Sequence, residues 1–199
     1  ACIVCSDIRD FTSFVLTTKM DRVTKVISRY IGVMENTITE YGGYINKYVG
    51  DEIVAVFGFP LDADSPNTRA VDAAIAMLSR LEELLEEWTE EGDEHVKRIG
   101  IGIDFGEVSF LEVGGVSKRQ FDIIGNAMNG ASRLQSLTKN MDPPFLVSQE
   151  VVRELPGFAV ARLRPGVDAV PAQRLVQFLA DASGVAVGVF RSEITRDEN

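Results

Sequence analysis

Tyr44-Ile45-Asn46-Lys47-Tyr48-Val49-Gly50-Asp51-Glu52-Ile53-Val54-Ala55-Val56-Phe57 reads as two β-prone runs meeting at a glycine turn. The pattern predicts a hairpin with strands over Tyr44–Val49 and Glu52–Phe57, and it puts the carboxylate of Asp51 at the turn. A second carboxylate, Asp7, sits in Cys5-Ser6-Asp7-Ile8-Arg9-Asp10-Phe11-Thr12, directly after the apolar run Ala1-Cys2-Ile3-Val4. Carboxylates at the ends of neighbouring rigid strands can share hard cations such as Mg²⁺, and those cations can hold phosphate oxygens. Either aspartate alone is an ordinary turn residue. Metal-dependent phosphate chemistry is still the first hypothesis for the two together, and its weight depends on the rest of the chain.

Outward from the hairpin, apolar residues at Val23, Val26, Ile27, Tyr30, Ile31, Met34, Ile38 and Tyr41 recur at helical spacing. They predict a helix over 20–41, stopped by Gly42-Gly43. A Pro-, Asp- and Ser-rich loop over 60–67 leads into a long amphipathic helix over 68–91, with Val71, Ile75, Leu78, Leu81, Leu85 and Trp88 facing inward. Its acidic run, Glu82-Glu83 and Glu86-Glu87, reads as a solvated face. Residues 97–104 and 106–113 read as a second strand pair, and Phe121-Asp122-Ile123-Ile124 as a strand behind a basic loop. Gly125-Asn126 opens a helix to about Leu137; 145–147 reads as a strand, 149–155 as a short helix, and 158–163 and 174–179 as further strand-like runs. Strands and helices alternate without a strict βα period, which predicts an α+β fold with helices packed on a mixed or antiparallel sheet.

At 199 residues, 45% hydrophobic and 25% charged, the chain suits one globular domain with its own core. A formal charge of −10 argues against a nucleic-acid partner, yet leaves room for a phosphorylated small molecule held by local cations. No apolar run approaches membrane-spanning length. The opening residues do not read as a signal peptide; they read as the inside of a strand without an initiator Met, and so as a piece of a longer protein. Cys2 and Cys5, three apart on a strand, point to opposite faces and read as buried apolar residues rather than a redox or metal pair. The lone His95 lies in a charged loop and reads as a surface residue.

The second cluster is Phe121-Asp122-Ile123-Ile124-Gly125-Asn126-Ala127-Met128-Asn129-Gly130-Ala131-Ser132-Arg133-Leu134. Asn129 and Arg133 stand four apart on the predicted helix and share a face. An amide beside a guanidinium can clamp a ribose oxygen and a phosphate oxygen; the same pair could equally be a polar stripe on an exposed helix. Lys47 donates and Asp122 accepts, so together they could read the edge of a purine. Adenine, with ring-nitrogen acceptors and an exocyclic amino donor, fits that pair, whereas guanine inverts the pattern.

Taken in order and spacing, these segments resemble the catalytic domain of class III nucleotide cyclases, the adenylyl and guanylyl cyclase family, over roughly residues 1–180. The resemblance implies a ferredoxin-like, palm-type α+β fold with a mainly antiparallel sheet, as a cyclase domain over 1–182 and a tail over 183–199 that is either an extra strand or a disordered end. Asp7 and Asp51 match the two metal-binding aspartates, with the backbone carbonyl of Ile8 joining one of two Mg²⁺ ions, for which Mn²⁺ could substitute. Phe11 and Thr12 match the turn whose amides meet the β and γ phosphates. Lys47 and Asp122 match the purine-selecting pair in its adenine form; guanylyl cyclases typically carry Glu and a small residue such as Cys there. Asn129 and Arg133 match the residues that position the ribose and stabilise the transition state.

The chemistry so implied is attack of the ATP ribose 3′-oxygen on the α-phosphorus, expelling pyrophosphate and closing cyclic AMP. The family's head-to-tail dimers share each site, so one chain of a homodimer would supply Asp7 and Asp51, and the other Lys47, Asp122, Asn129 and Arg133. An upstream regulatory domain and a cytoplasmic location, with a membrane anchor for the full-length protein left open, complete that expectation. One departure stands out: the late lysine that usually holds the terminal phosphates is missing from 162–174. Arg164, or Lys118 or Arg119 from the partner, would have to replace it. The alternatives are a guanylyl cyclase and a catalytically silent homologue that serves as a dimerising regulatory module.

Overall fold

Alternation along the first strand defines the two faces of the molecule. In the computed structural model, which describes residues 1–59, 64–90, 96–115, 119–140, 144–155 and 188–190, β1 (Cys2–Ile8) lies inside a six-stranded sheet of order β2-β3-β1-β4-β7-β8. Its antiparallel neighbours are β3 (Glu52–Phe57), paired Ser6 to Ile53, and β4 (Ile99–Phe105), paired Asp7 to Gly100. β2 (Tyr44–Val49) forms the hairpin with β3, turned by Gly50 at φ 66°, a left-handed geometry that suits glycine. β7 (Phe145–Ser148) and β8 (Gly188–Phe190) extend the other side in parallel pairing. The sheet is thus mixed and mainly antiparallel, as the sequence predicts.

One face of β1 carries Cys2, Val4 and Ile8 into the main core. There α2 (Met20–Glu40) and α3 (Pro66–Glu90) cover the sheet with Tyr30, Met34, Met77, Leu81 and Trp88, all buried. Burying each such side chain contributes roughly 1.5–3 kcal/mol. The other face carries Ile3 and Cys5 into a smaller core with Ile123, Ala127 and Ala131. The two cysteines therefore fall on opposite faces, both buried and free, and burial pushes the Cys5 thiol up to about 12. α3 starts two residues earlier than its periodicity predicts because Pro66 fits a first helical turn.

The smaller core is closed by α4 (Asn126–Leu137), which lies flush on β4. Gly100 and Gly102 permit that approach: a Cβ on Gly102 would enter the backbone of Ala131 and Gln135, and one on Gly130 would enter the Asp104 carboxylate. The expected pairing of 97–104 with 106–113 is not formed. Both edges of β4 are taken, by β1 and β7, so β5 (Ser109–Gly114) turns away and pairs instead with β6 (Arg119–Ile124) as a separate two-stranded ribbon. The short helices α1 (Phe11–Thr17) and α5 (Gln149–Arg153) follow β1 and β7. Among the described residues no helix is long and apolar enough to cross a membrane. His95 and the runs 158–163 and 174–179 lie outside the described residues.

Candidate active site

The antiparallel pairing of β1 with β3 carries the end of one strand to the turn before the other, and this brings Asp7 and Asp51 together. The backbone N–H of Ile8 donates to Asp51 Oδ2 at 2.9 Å, which ties the turn to the strand end. Burial raises the carboxyl of Asp7 above its ordinary value, and the facing charge of Asp51 adds to the rise. Burial raises Asp51 as well, opposed by its backbone hydrogen bonds. Glu52 is raised by burial and then by both aspartates. Two half-buried carboxylates pressed together, offering only oxygen, suit a hard divalent cation. Among the described residues no cluster of three or more His, Cys, Asp and Glu side chains forms a ready metal cage.

Beyond Ile8 the chain passes Asp10, at φ 60°, and enters α1. Phe11 and Thr12 occupy the first turn of α1, where backbone N–H groups have no intrahelical acceptor.

The second cluster forms where β2 meets the ribbon. Lys47 Nζ donates to Asp122 Oδ1 at 2.9 Å and to Oδ2 at 3.0 Å, and Asn46 Nδ2 donates to Oδ1 at 3.1 Å. Adjacent strand residues normally face opposite ways. Here the register of β2 against β3 shifts between Ile45 and Lys47, and the irregularity lets both Asn46 and Lys47 reach one carboxylate. The lysine bond, above all, holds the Asp122 carboxyl below its usual range.

Asn129 and Arg133 project from α4 on the side away from Ala127, Ala131 and Leu134, their side chains exposed and without a hydrogen bond among the described residues. No hydrogen bond or ion pair joins either of them, Lys47 or Asp122 to Asp7 or Asp51 among the described residues. Arg164 and Lys118 lie outside the described residues, as does the side chain of Arg119.

Sequence reasoning missed Arg9 and Asn46. Arg9 follows Asp7 by two positions, so strand alternation aims both at one face, and its guanidinium Nη2 donates to Asp7 Oδ1. Asn46 gave no signal, because the register shift that turns it is invisible in the residue pattern.

Residues 1–166 match the adenylate and guanylate cyclase catalytic domain family, and the chain belongs to that family. It is 36% identical over 157 residues to an adenylate cyclase of Anabaena cylindrica, covering 77% of this chain and 30% of that protein. Among solved structures it resembles the guanylyl cyclase Cya2 (TM-score 0.64, 32% identity, 68% of each chain). It also resembles the adenylyl cyclase CyaB from P. aeruginosa (TM-score 0.65, 30% identity, 68% of this chain and 70% of that one). The chain spans less than a third of the length of the curated relatives it matches. Catalytic domains of this family are generally metal-dependent and typically act as dimers on nucleotides.

Proposed function

We propose that this chain is an adenylyl cyclase catalytic domain that converts ATP to 3′,5′-cyclic AMP and pyrophosphate in sites shared across a head-to-tail homodimer. The observation that carries the choice of ATP is the Lys47–Asp122 pair, steadied by Asn46. After two bonds to Asp122, Lys47 keeps a donor for an adenine ring nitrogen, and Asp122 keeps lone pairs for the exocyclic amino group. Guanine would meet a donor where it needs an acceptor.

In this reading Asp7, Asp51 and the Ile8 carbonyl of one chain hold two Mg²⁺ ions, for which Mn²⁺ could substitute. Bound there, they would acidify the ribose 3′-hydroxyl and screen the triphosphate. The N–H groups of Phe11 and Thr12 take β- and γ-phosphate oxygens, as a helix N-terminus favours anions. From the other chain, Asn129 orients the ribose and Arg133 neutralises charge growing at the α-phosphate as pyrophosphate departs. Arg164, or Lys118 or Arg119 of the partner, takes the terminal phosphate. Exposed Tyr48, Val49, Phe110, Phe121 and Ile124 support a dimer, because they leave an apolar surface beside the Lys47–Asp122 half-site. An upstream regulatory domain and a cytoplasmic setting belong to the same proposal.

Product formation from ATP and GTP, with Mg²⁺ or Mn²⁺, across protein concentrations tests it. Cyclic AMP rising more steeply than protein concentration is expected. Cyclic GMP would overturn the purine assignment, and no product from a demonstrated dimer would favour the silent-module alternative.

A further inference from the structure

Arg9 is buried to 7% exposure at the edge of the Asp7–Asp51 pair, which is rare for an arginine. Its Nη2 donates to Asp7 Oδ1, while Nε and Nη1 are buried with no partner among the described residues. Leaving buried donors of a cation unpaired is strongly unfavourable. Yet the fold makes room for this guanidinium: Gly100 sits opposite Asp7 on β4, and a Cβ there would overlap Arg9 Nη2 and Cζ. The backbone holds the residue too, since Arg9 N–H donates to the Arg98 carbonyl at 2.9 Å. A slot shaped for a cation therefore adjoins the carboxylates to which the proposed function gives the divalent ions.

We propose that Arg9 is a built-in rival cation for Asp7, weakening divalent-ion binding at the Asp7–Asp51 pair. The inference rests on the reading of that pair as the metal site. A guanidinium hydrogen bond removes part of the Oδ1 donor capacity, and a fixed positive charge within a few ångströms repels an incoming dication. Asp7 is thereby kept oriented and neutralised, and full metal occupancy requires either a high ion concentration or an ion delivered together with the polyphosphate. Arg9 is a positioning residue in this account, since it acts on the ion through Asp7.

Mn²⁺ binding without nucleotide, followed by the electron paramagnetic resonance of free Mn²⁺, tests this on wild type, Arg9→Met, Arg9→Lys and Asp7→Asn. Arg9→Met is expected to bind Mn²⁺ about tenfold more tightly than wild type, from loss of one nearby positive charge. Arg9→Lys should stay near wild type, because it keeps the charge. An unchanged or weakened Mn²⁺ affinity in folded Arg9→Met, with binding lost in Asp7→Asn, overturns this inference and leaves the cyclase reading standing. Equal binding by wild type and Asp7→Asn overturns the metal assignment itself. If Arg9→Met does not fold, the side-chain N–H resonances of Arg9 in the wild-type protein serve instead. Mg²⁺ should shift them and speed their exchange with water, and insensitivity to Mg²⁺ overturns the proposal.

Discussion

The two candidate site regions of this chain are built in opposite ways. Asp7 and Asp51 sit half-buried where β1 meets the β2–β3 turn, held by the Ile8 N–H and by the Arg9 guanidinium. Asn129 and Arg133 stand exposed on the outer side of α4, their side chains without a partner among the described residues, beside a ribbon whose Phe110 and Phe121 stack at 5.0 Å in the open. The first region is held by groups of its own chain, although Arg9 Nε and Nη1 find no partner among the described residues. The second is rigid at its base and unsatisfied at its tips, which is how a surface looks when its partner is another macromolecule. In the proposed dimer each copy supplies what the other lacks, and two such complementary sets of groups suit a closed twofold assembly.

The sharpest way to break that comparison is to damage the halves separately. Asp7→Ala and Asn129→Ala are each expected to lower cyclase activity by on the order of 10²-fold or more, since in the proposed function Asp7 holds the metal ions and Asn129 orients the ribose. Mixed in equal amounts, they should recover about a quarter of wild-type activity, because random pairing makes half the dimers mixed and each mixed dimer keeps one intact site of two. Continued inactivity of a mixture shown to contain heterodimers would sink the shared-site reading. At the purine edge the expected effect falls on the choice of base rather than on the overall rate. Lys47→Glu combined with Asp122→Cys should lower turnover of ATP relative to GTP by about 10²-fold or more, as expected when a polar substrate group loses its built partner. A preference for ATP that survives the double substitution would remove these two residues from base selection.

What could be read in the sequence divides along the same line. Local periodicity announced α2, since Val23, Val26, Tyr30 and Met34 are indeed its buried face. The Gly50-Asp51 turn and both strand spans of the hairpin were legible because a left-handed glycine between β-prone runs has few other uses. Strand alternation also placed Cys2 and Cys5 in different cores. Partner choice between strands is not legible: nothing in 106–113 says that β4 has no free edge, so the residue pattern pairs β5 with the wrong neighbour. Among site features, the carboxylates and the Asn129–Arg133 spacing could be singled out from residue type alone. The register shift at Asn46 and the slot around Arg9 depend on what lies across the sheet, on β3 and on Gly100 respectively.

The seat of α4 joins the two regions, and substituting its glycines tests whether the exposed half depends on that foundation. Gly102→Ala should lower stability by about 1–3 kcal/mol, because the added methyl meets backbone that cannot yield. Gly130→Ala should cost less, since its methyl meets the Asp104 side chain, and Asp104→Ala should recover part of the loss. Denaturation midpoints check both. A freely tolerated Gly102→Ala would mean that α4 is not pressed against β4 as described.

The smallest effects concern pH, and the two half-sites should respond with opposite signs. The carboxyl of Asp51 is raised above 3.8 in the folded chain, so the folded state holds more protons in that window and stability falls as pH rises through it. Removing this charge relieves the strain, so with chelator present Asp51→Asn should melt above wild type at neutral pH, its amide oxygen still accepting the Ile8 N–H. That advantage should fade as acid protonates the wild-type carboxyl. Asp122 is lowered below 3.8, so its ion pair stabilises the fold above that value and is lost as pH falls through the lowered one. Asp122→Asn should therefore melt below wild type at neutral pH, with a deficit that closes in acid. Thermal melts of the three proteins across the acidic range separate these cases. If both variants shift the same way at neutral pH, the two clusters do not differ in electrostatic strain. With saturating Mg²⁺ the advantage of Asp51→Asn should reverse if the pair is the proposed metal site, because the ion would stabilise the two carboxylates and bind the amide poorly, while the deficit of Asp122→Asn should stay as it was.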